Sequence, residues 1–127
     1  MKLDTEARYA KSHEWVRKDG AELVCGISDH AQHSLGDIVF VELPKVGAAF
    51  AKGAAFGVVE SVKAASDLYL PVGGRIVAVN AGLSDAPDAV NKDCYGAGWI
   101  VRIAPSDPAE WEALLSADDY EKIAEEE

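Results

Sequence analysis

Cysteine is scarce in this chain. Two residues, Cys25 and Cys94, among 127 cannot build a disulfide scaffold, and without a C-x-x-C pair they do not suggest zinc. Each reads as a small buried hydrophobe. Long hydrophobic runs are also missing, and no segment approaches the roughly 20 apolar residues that span a bilayer. The opening stretch, MKLDTEARYAKSHEW, has neither the apolar centre of a secretory leader nor the Arg/Ser bias of a transit peptide. The expected setting is the reducing bacterial cytoplasm, away from membranes. Positive charge is in deficit too, with 12 Lys and Arg against 22 Asp and Glu and a net charge of −10. Such a balance argues against nucleic acid as a partner, because that needs basic patches. The excess is local: residues 107–127 hold nine acids and one lysine, whereas residues 1–106 hold thirteen acids and eleven bases. It therefore says little about electrostatic steering over the rest of the surface.

What is present is apolar residue in quantity, 49% of the chain, enough for one core in one domain spanning residues 1–127. A monomer is expected. Turn signals recur every several residues. HEWVRKDGAELVCGI reads as a hairpin turning at Asp19-Gly20, a dipeptide that favours a type I′ turn. In SDHAQHSLG, Ser28 can cap a short helix that Gly36 ends, with Ala31, Leu35 and His30 towards the inside. DIVFVELP is a strand stopped by Pro44, and Gly47 and Gly53 punctuate the turns before the next strand. LYLPVGGRIVAVN gives strand, turn and strand. SDAPDAVNKDCYGAG is a longer connection with one helical turn at Pro87–Val90, and GWIVRI is the last strand. Together these make an all-β barrel or sandwich core at about residues 8–104.

The end of the chain changes character. In SDPAEWEALL, Asp107 suits an N-cap, Pro108 a first helical position, and Glu110 completes a capping box. SADDYEKIAEEE predicts a second helix, with Asp118 and Asp119 at its positive end. Glu125, Glu126 and Glu127 oppose the dipole, so its last turn is expected to fray. These two helices occupy about residues 107–126.

A weak internal repeat runs through the β region. GDIVFVE (Gly36–Glu42) resembles GRIVAVN (Gly74–Asn80), and KGAAFGVV (Lys52–Val59) resembles CYGAGWIV (Cys94–Val101). Two related halves packed face to face make one small sandwich. VVESVKAASDL then falls between the halves as a protruding hairpin. Lys63 stands in it among Ser61, Ala64, Ala65 and Ser66, small residues that permit a tight turn between strand-like runs at Phe56–Val62 and Leu68–Val72. A turn lysine is ordinarily a solvated charge.

The pattern extends beyond one turn. The chain resembles the glycine cleavage system H protein family through SHEWV (Ser12–Val16), GISDHAQHSLGDIVFVELPKVG (Gly26–Gly47), FGVVESVKAASDLYLPVGG (Phe56–Gly74) and VNKDCYGAGWIVRI (Val90–Ile103), covering roughly residues 8–125. The tip GVVESVKAASD is specific, since biotin carriers set their lysine between methionines and 2-oxo acid dehydrogenase lipoyl domains usually have an Asp-Lys pair. The resemblance implies a mainly β, lipoyl/biotinyl-carrier-like barrel-sandwich hybrid with an N-terminal hairpin, a short helix and two C-terminal helices. It implies that Lys63 carries lipoic acid as lipoyllysine, trading its charge for a long dithiolane arm.

The implied role is non-catalytic. A lipoylated H protein takes the aminomethyl intermediate from the PLP-dependent glycine decarboxylase (P protein) to the tetrahydrofolate-dependent aminomethyltransferase (T protein), and its reduced dithiol goes to dihydrolipoamide dehydrogenase (L protein). A lipoate ligase or lipoyltransferase attaches the arm. Tethering replaces diffusion by a local search. By the same resemblance, Ser12, Glu14 and Asp67 are candidates for a cleft that holds the loaded arm and shields it from water. Each also has an ordinary role open to it: a turn cap, a solvated strand residue, and a turn-bonding carboxylate. Glu60, three residues before Lys63, is a candidate for recognition by the lipoylating enzyme or a solvated charge. The alternative function is a lipoyl-relay paralogue that serves other lipoate-dependent complexes through the same lysine. A thiol enzyme based on Cys25 is disfavoured, because that residue lies inside a strand where a nucleophile is hard to reach. A binding module that is never lipoylated would tolerate loss of Lys63. His30 and His33, at i and i+3, lack a third metal ligand nearby, so no metal is expected. Trp15, Trp99 and Trp111 read as core residues.

Overall fold

The first hairpin turns one residue later than its Asp-Gly signal suggests. The computed structural model, which describes residues 1–127, pairs strand β2 (Glu14–Asp19) with β3 (Glu22–Ile27), and Asp19 opposes Glu22. Gly20 and Ala21 form the loop, and only Gly20 has positive φ, +64°. Glycine at the first central position alone is the II′ pattern, not the I′ turn expected from Asp19-Gly20. On the far side, β1 (Arg8–Tyr9) adds to β2.

Helix α1 (Asp29–Leu35) begins and ends where its sequence dictates. The Ser28 hydroxyl accepts the Ala31 N–H at 3.1 Å, and Gly36 closes the helix at φ +80°. Four strands follow: β4 (Ile38–Glu42), β5 (Ala49–Phe50), β6 (Ala55–Ser61) and β7 (Ala65–Tyr69). Strand β7 starts three residues earlier than its apolar run, which gives a tighter tip than expected. After β8 (Gly74–Val79), a 3₁₀ turn at Ala81–Ser84 precedes α2 (Ala89–Lys92). The helical turn anticipated at Pro87–Val90 thus lies two residues further on, where the Asn91 and Lys92 N–H groups reach the Asp88 carbonyl.

Strand β9 (Val101–Pro105) completes a six-stranded sheet in the order β1-β2-β3-β9-β8-β5, and β4-β6-β7 form a three-stranded sheet. The repeat in the sequence corresponds to one antiparallel pair in each sheet. Val41 opposes Val59 in β4–β6, and Val79 opposes Val101 in β8–β9. The match extends to irregularities: both pairs shift register two residues into the repeat, between Ile38 and Phe40 and between Ile76 and Ala78.

The main core lies between the sheets and draws on both. Val16, Cys25, Ile76 and Ile103 come from one, and Ile38, Val41, Val59 and Leu68 from the other. A second cluster covers the outer face of β1–β3. There α4 (Ala117–Glu125) lays Tyr120 on Tyr9 with ring centroids 4.5 Å apart, beside the fully buried Trp15. Trp99 and Trp111 are only partly buried and pack at the margins. Before α4, α3 (Ala109–Glu112) is a single turn whose first N–H, from Ala109, donates to Asp107. Glu110 does not close a capping box: its carboxylate accepts the Gly73 N–H at 2.8 Å and so ties the helix to the sheet. Helix α4 runs to Glu125, and Glu127 just beyond it lies against two histidines.

Trp15 packs flat against Gly26, its cross-strand partner, and its indole N–H donates to the Ile27 carbonyl at 3.0 Å. A Cβ on residue 26 would lie 2.8 Å from the indole ring. Gly26→Ala is expected to lower the free energy of unfolding by about 1–3 kcal/mol through overpacking. Urea unfolding measures this, and an unchanged midpoint would show that the indole moves aside at no cost.

Candidate functional site

Lys63 stands at the tip of the β6–β7 hairpin, and the tip is rigidly made. The Ser61 N–H donates to the Ala64 carbonyl at 2.8 Å, while the Ser61 hydroxyl accepts the N–H groups of Lys63 and Ala64. The Val62 N–H donates to the Asp37 carbonyl at 3.0 Å, which fastens the tip to the segment joining α1 to β4. Lys63 is exposed and makes no ion pair. Its aliphatic stem lies over Gly36, where an added Cβ would approach Lys63 Cε to 3.3 Å. Gly36 therefore does two things: it adopts φ +80°, and it leaves the groove in which the stem rests.

In the sequence Gly36 reads as a helix terminator, and nothing marks Asn91. Asn91 donates to the Gly36 carbonyl at 2.9 Å and to Gln32, and accepts the Ile38 N–H at 2.8 Å. One side chain thus fixes the helix end, the glycine and the first residue of β4. Only the fold brings residue 91 to residue 36, so no local signal points to it.

Beside the tip, between α1 and the turn at Ser12-His13, is a cleft of about 400 Å³ lined by Ser12, His13, His30, Ser34, Leu35, Ser66 and Glu127, among others. Glu14 lies behind Ser12, 2% exposed. Its carboxylate accepts the Ser12 hydroxyl on one oxygen and the Tyr69 N–H, at 3.0 Å, on the other. Burial pushes the Glu14 carboxyl up to about 7, against the lowering effect of these hydrogen bonds. None of the ion pairs in the molecule includes it.

Of Ser12, Glu14 and Asp67, the structure brings two together. Ser12 and Glu14 touch. Asp67 lines a separate groove with Glu42, Pro44 and Lys45, because successive residues of β7 face opposite ways. Its neighbour Ser66 borders the cleft instead. Glu60 is exposed at the base of the tip, paired with Ala65 on one side and Phe40 on the other. Phe40 and Val62 are exposed nearby.

His30 does not work with His33. It meets His13, with ring centroids 4.9 Å apart, and both reach Glu127. His13 and Glu127 are 114 residues apart in the chain, beyond the reach of spacing arguments. Cys25 is fully buried, and burial pushes its thiol well above its usual range. Cys94 is pushed up to about 12 for the same reason. Neither has the character of a nucleophile.

The glycine cleavage H-protein family model matches residues 7–127. A glycine cleavage system H protein of Opitutus terrae is 58% identical over 123 residues, covering 95% of this chain and 96% of the relative. One from Shewanella denitrificans is 53% identical over 125 residues, covering 98% and 97%. The crystal structure of a glycine cleavage system H protein from Mycobacterium marinum superposes with a TM-score of 0.86 at 37% identity, covering 94% of this chain and 97% of that one. With the duplicated β pairs, the lysine tip and matches over nearly the whole length, the chain belongs to the glycine cleavage H-protein family.

Proposed function

We propose that this chain is the lipoyl carrier of a glycine cleavage system, with Lys63 as the attachment residue. One observation carries this reading: in a member of this family, an exposed, unpaired lysine stands at the centre of a braced hairpin tip. Acylating that amine breaks no ion pair. Lipoic acid in amide linkage supplies a disulfide that accepts the aminomethyl group with two electrons and is later reoxidised from the dithiol. The chain itself presents, shelters and releases. Ser61 and the Val62–Asp37 hydrogen bond keep the tip from folding back. The Lys63 stem lies over Gly36, the residue that follows Ser34 and Leu35 of the Ser12 cleft.

Glu14 suits a site that receives a cation. A buried carboxylate without a basic partner is destabilised in its charged form, and an arriving ammonium group relieves that. No helix is long and apolar enough to cross a membrane. The partners in this reading are the P, T and L proteins and a lipoate ligase or lipoyltransferase of the bacterial cytoplasm. They approach the face formed by Glu60, Phe40 and Val62 around Lys63. In this reading the chain is a carrier component, and the bond-making chemistry belongs to its partners and their cofactors.

Incubation with lipoate, ATP and a lipoate ligase is expected to add one lipoyl mass to the parent and none to Lys63→Ala. Intact-mass spectrometry decides the matter, and an unmodified parent beside a modified control carrier would break the proposal at its first step. In the same assay Glu60→Gln is expected to slow acylation several-fold without changing its end point; an equal rate would leave Glu60 a solvated charge.

The raised Glu14 carboxyl makes stability depend on pH in a defined direction. Its proton is retained by the folded chain and lost by the unfolded one between pH 4.5 and about 7. Its contribution is therefore fully present below pH 4.5 and is lost as pH rises through about 7, a change of about 3 kcal/mol. Glu14→Gln removes that slope. Relative to the parent, the variant is expected to gain on the order of 3 kcal/mol between pH 5 and pH 8. Denaturant unfolding at the two pH values reads the difference, and parallel curves would show that Glu14 ionises normally.

A further inference from the structure

We propose that His13, His30 and Glu127 form a binding site for a divalent cation of the zinc class at the rim of the Ser12 cleft. Their ligand atoms lie within 4.8 Å of one another. The Glu127 carboxylate is 2.8 Å from His13 Nε2 and 3.3 Å from His30 Nε2. Tetrahedral zinc, with bonds near 2.0–2.2 Å, sets its ligand atoms about 3.3 Å apart. Two of the distances are already close to that value, and rotation of the partly exposed His30 and Glu127 side chains can close the rest. Two imidazoles and one carboxylate suit zinc and not magnesium, which prefers oxygen.

The support behind the ligands is that of a metal site. His13 Nδ1 lies 2.6 Å from the Tyr120 hydroxyl, which lies 2.7 Å from the Ser28 hydroxyl. A Nδ1–H donated to Tyr120, with Tyr120 donating to Ser28, leaves the His13 Nε2 lone pair directed at Glu127. Such an outer partner fixes the tautomer and ring orientation of a metal-bound histidine. His13 also holds φ at +81°, the only residue other than glycine in the left-handed region. That conformation costs about 1–2 kcal/mol and turns the imidazole towards α1 and the end of α4. An ion here joins three segments far apart in sequence and leaves a fourth coordination position towards the cleft. The assignment does not depend on lipoylation, because every ligand belongs to the polypeptide.

The test is a titration of untagged, unmodified chain, stripped with a chelator, with zinc chloride and separately with magnesium chloride by calorimetry. One equivalent of zinc is expected to bind and magnesium is not. His30→Ala and Glu127→Gln are each expected to weaken zinc binding by on the order of 100-fold, and Tyr120→Phe by about 10-fold. His33→Ala, outside the cluster, is expected to change it less than two-fold. Circular dichroism of each variant separates loss of a ligand from loss of fold. Absence of saturable zinc binding would reduce the cluster to an ionic clasp and overturn the site. Binding that survives His30→Ala would place the metal elsewhere, Cys94 included, and overturn it equally.

Discussion

Glu14 is the hinge between the two sheets. It belongs to β2 of the larger sheet, yet its carboxylate receives the N–H of Tyr69 from β7 of the smaller one. The strand that returns from the Lys63 tip is thus secured by a group whose charge is costly to bury. A neutral side chain of similar shape could make part of this contact at less cost. Retaining an acid there makes sense if the cost is reversed when a cation reaches the cleft. Below about pH 7 the site holds a proton, and above it the same oxygens hold a charge that lacks a partner.

The other constraints act on direction. A long flexible arm on an unbraced loop would sweep a wide volume and gain little effective concentration. Here the tip is braced three ways: by the Ser61 hydroxyl, by the Val62–Asp37 hydrogen bond, and by Gly36, which gives the lysine stem a surface to follow. Asn91 then holds Gly36 in place from the opposite half of the molecule. The cleft on that side has polar walls from Ser12, Ser34 and Ser66. Rigid support around a mobile group divides the labour sensibly, since order is maintained only where it sets the path.

Much of this was legible in the sequence because the signals are local. Ser28 and Gly36 bound a helix through hydrogen bonds that span a few residues, and the Lys63 tip is marked by its own small neighbours. The repeat was legible as a pattern of segments, and its register emerges in the structure, where Val41–Val59 and Val79–Val101 occupy equivalent rungs. The errors arose where a local signal had a non-local competitor. Glu110 had the spacing of a capping box, but the Gly73 N–H drew it away. His13, His30 and Glu127 come together only because α4 packs back across the outer face through Tyr9 and Tyr120. No spacing rule reaches across that distance.

The two halves show how one ladder can have different ends. Extending the repeat by its own offset places Pro105 where the first half has Lys63. In the first half the strand turns sharply after Ser61 and returns as β7, which exposes the lysine. In the second, β9 ends at Pro105, whose ring fixes φ and removes the N–H needed to continue a ladder. The chain then leaves the sheet and forms α3, whose Trp111 packs at the margin of the main core, and α4, which covers the outer face of β1–β3. One half therefore ends in an open tip and the other closes the molecule. The closing half also delivers Glu127 to the rim of the cleft that Ser66 of the open half borders, opposite Ser12, His13 and His30 from the segments that precede the repeat.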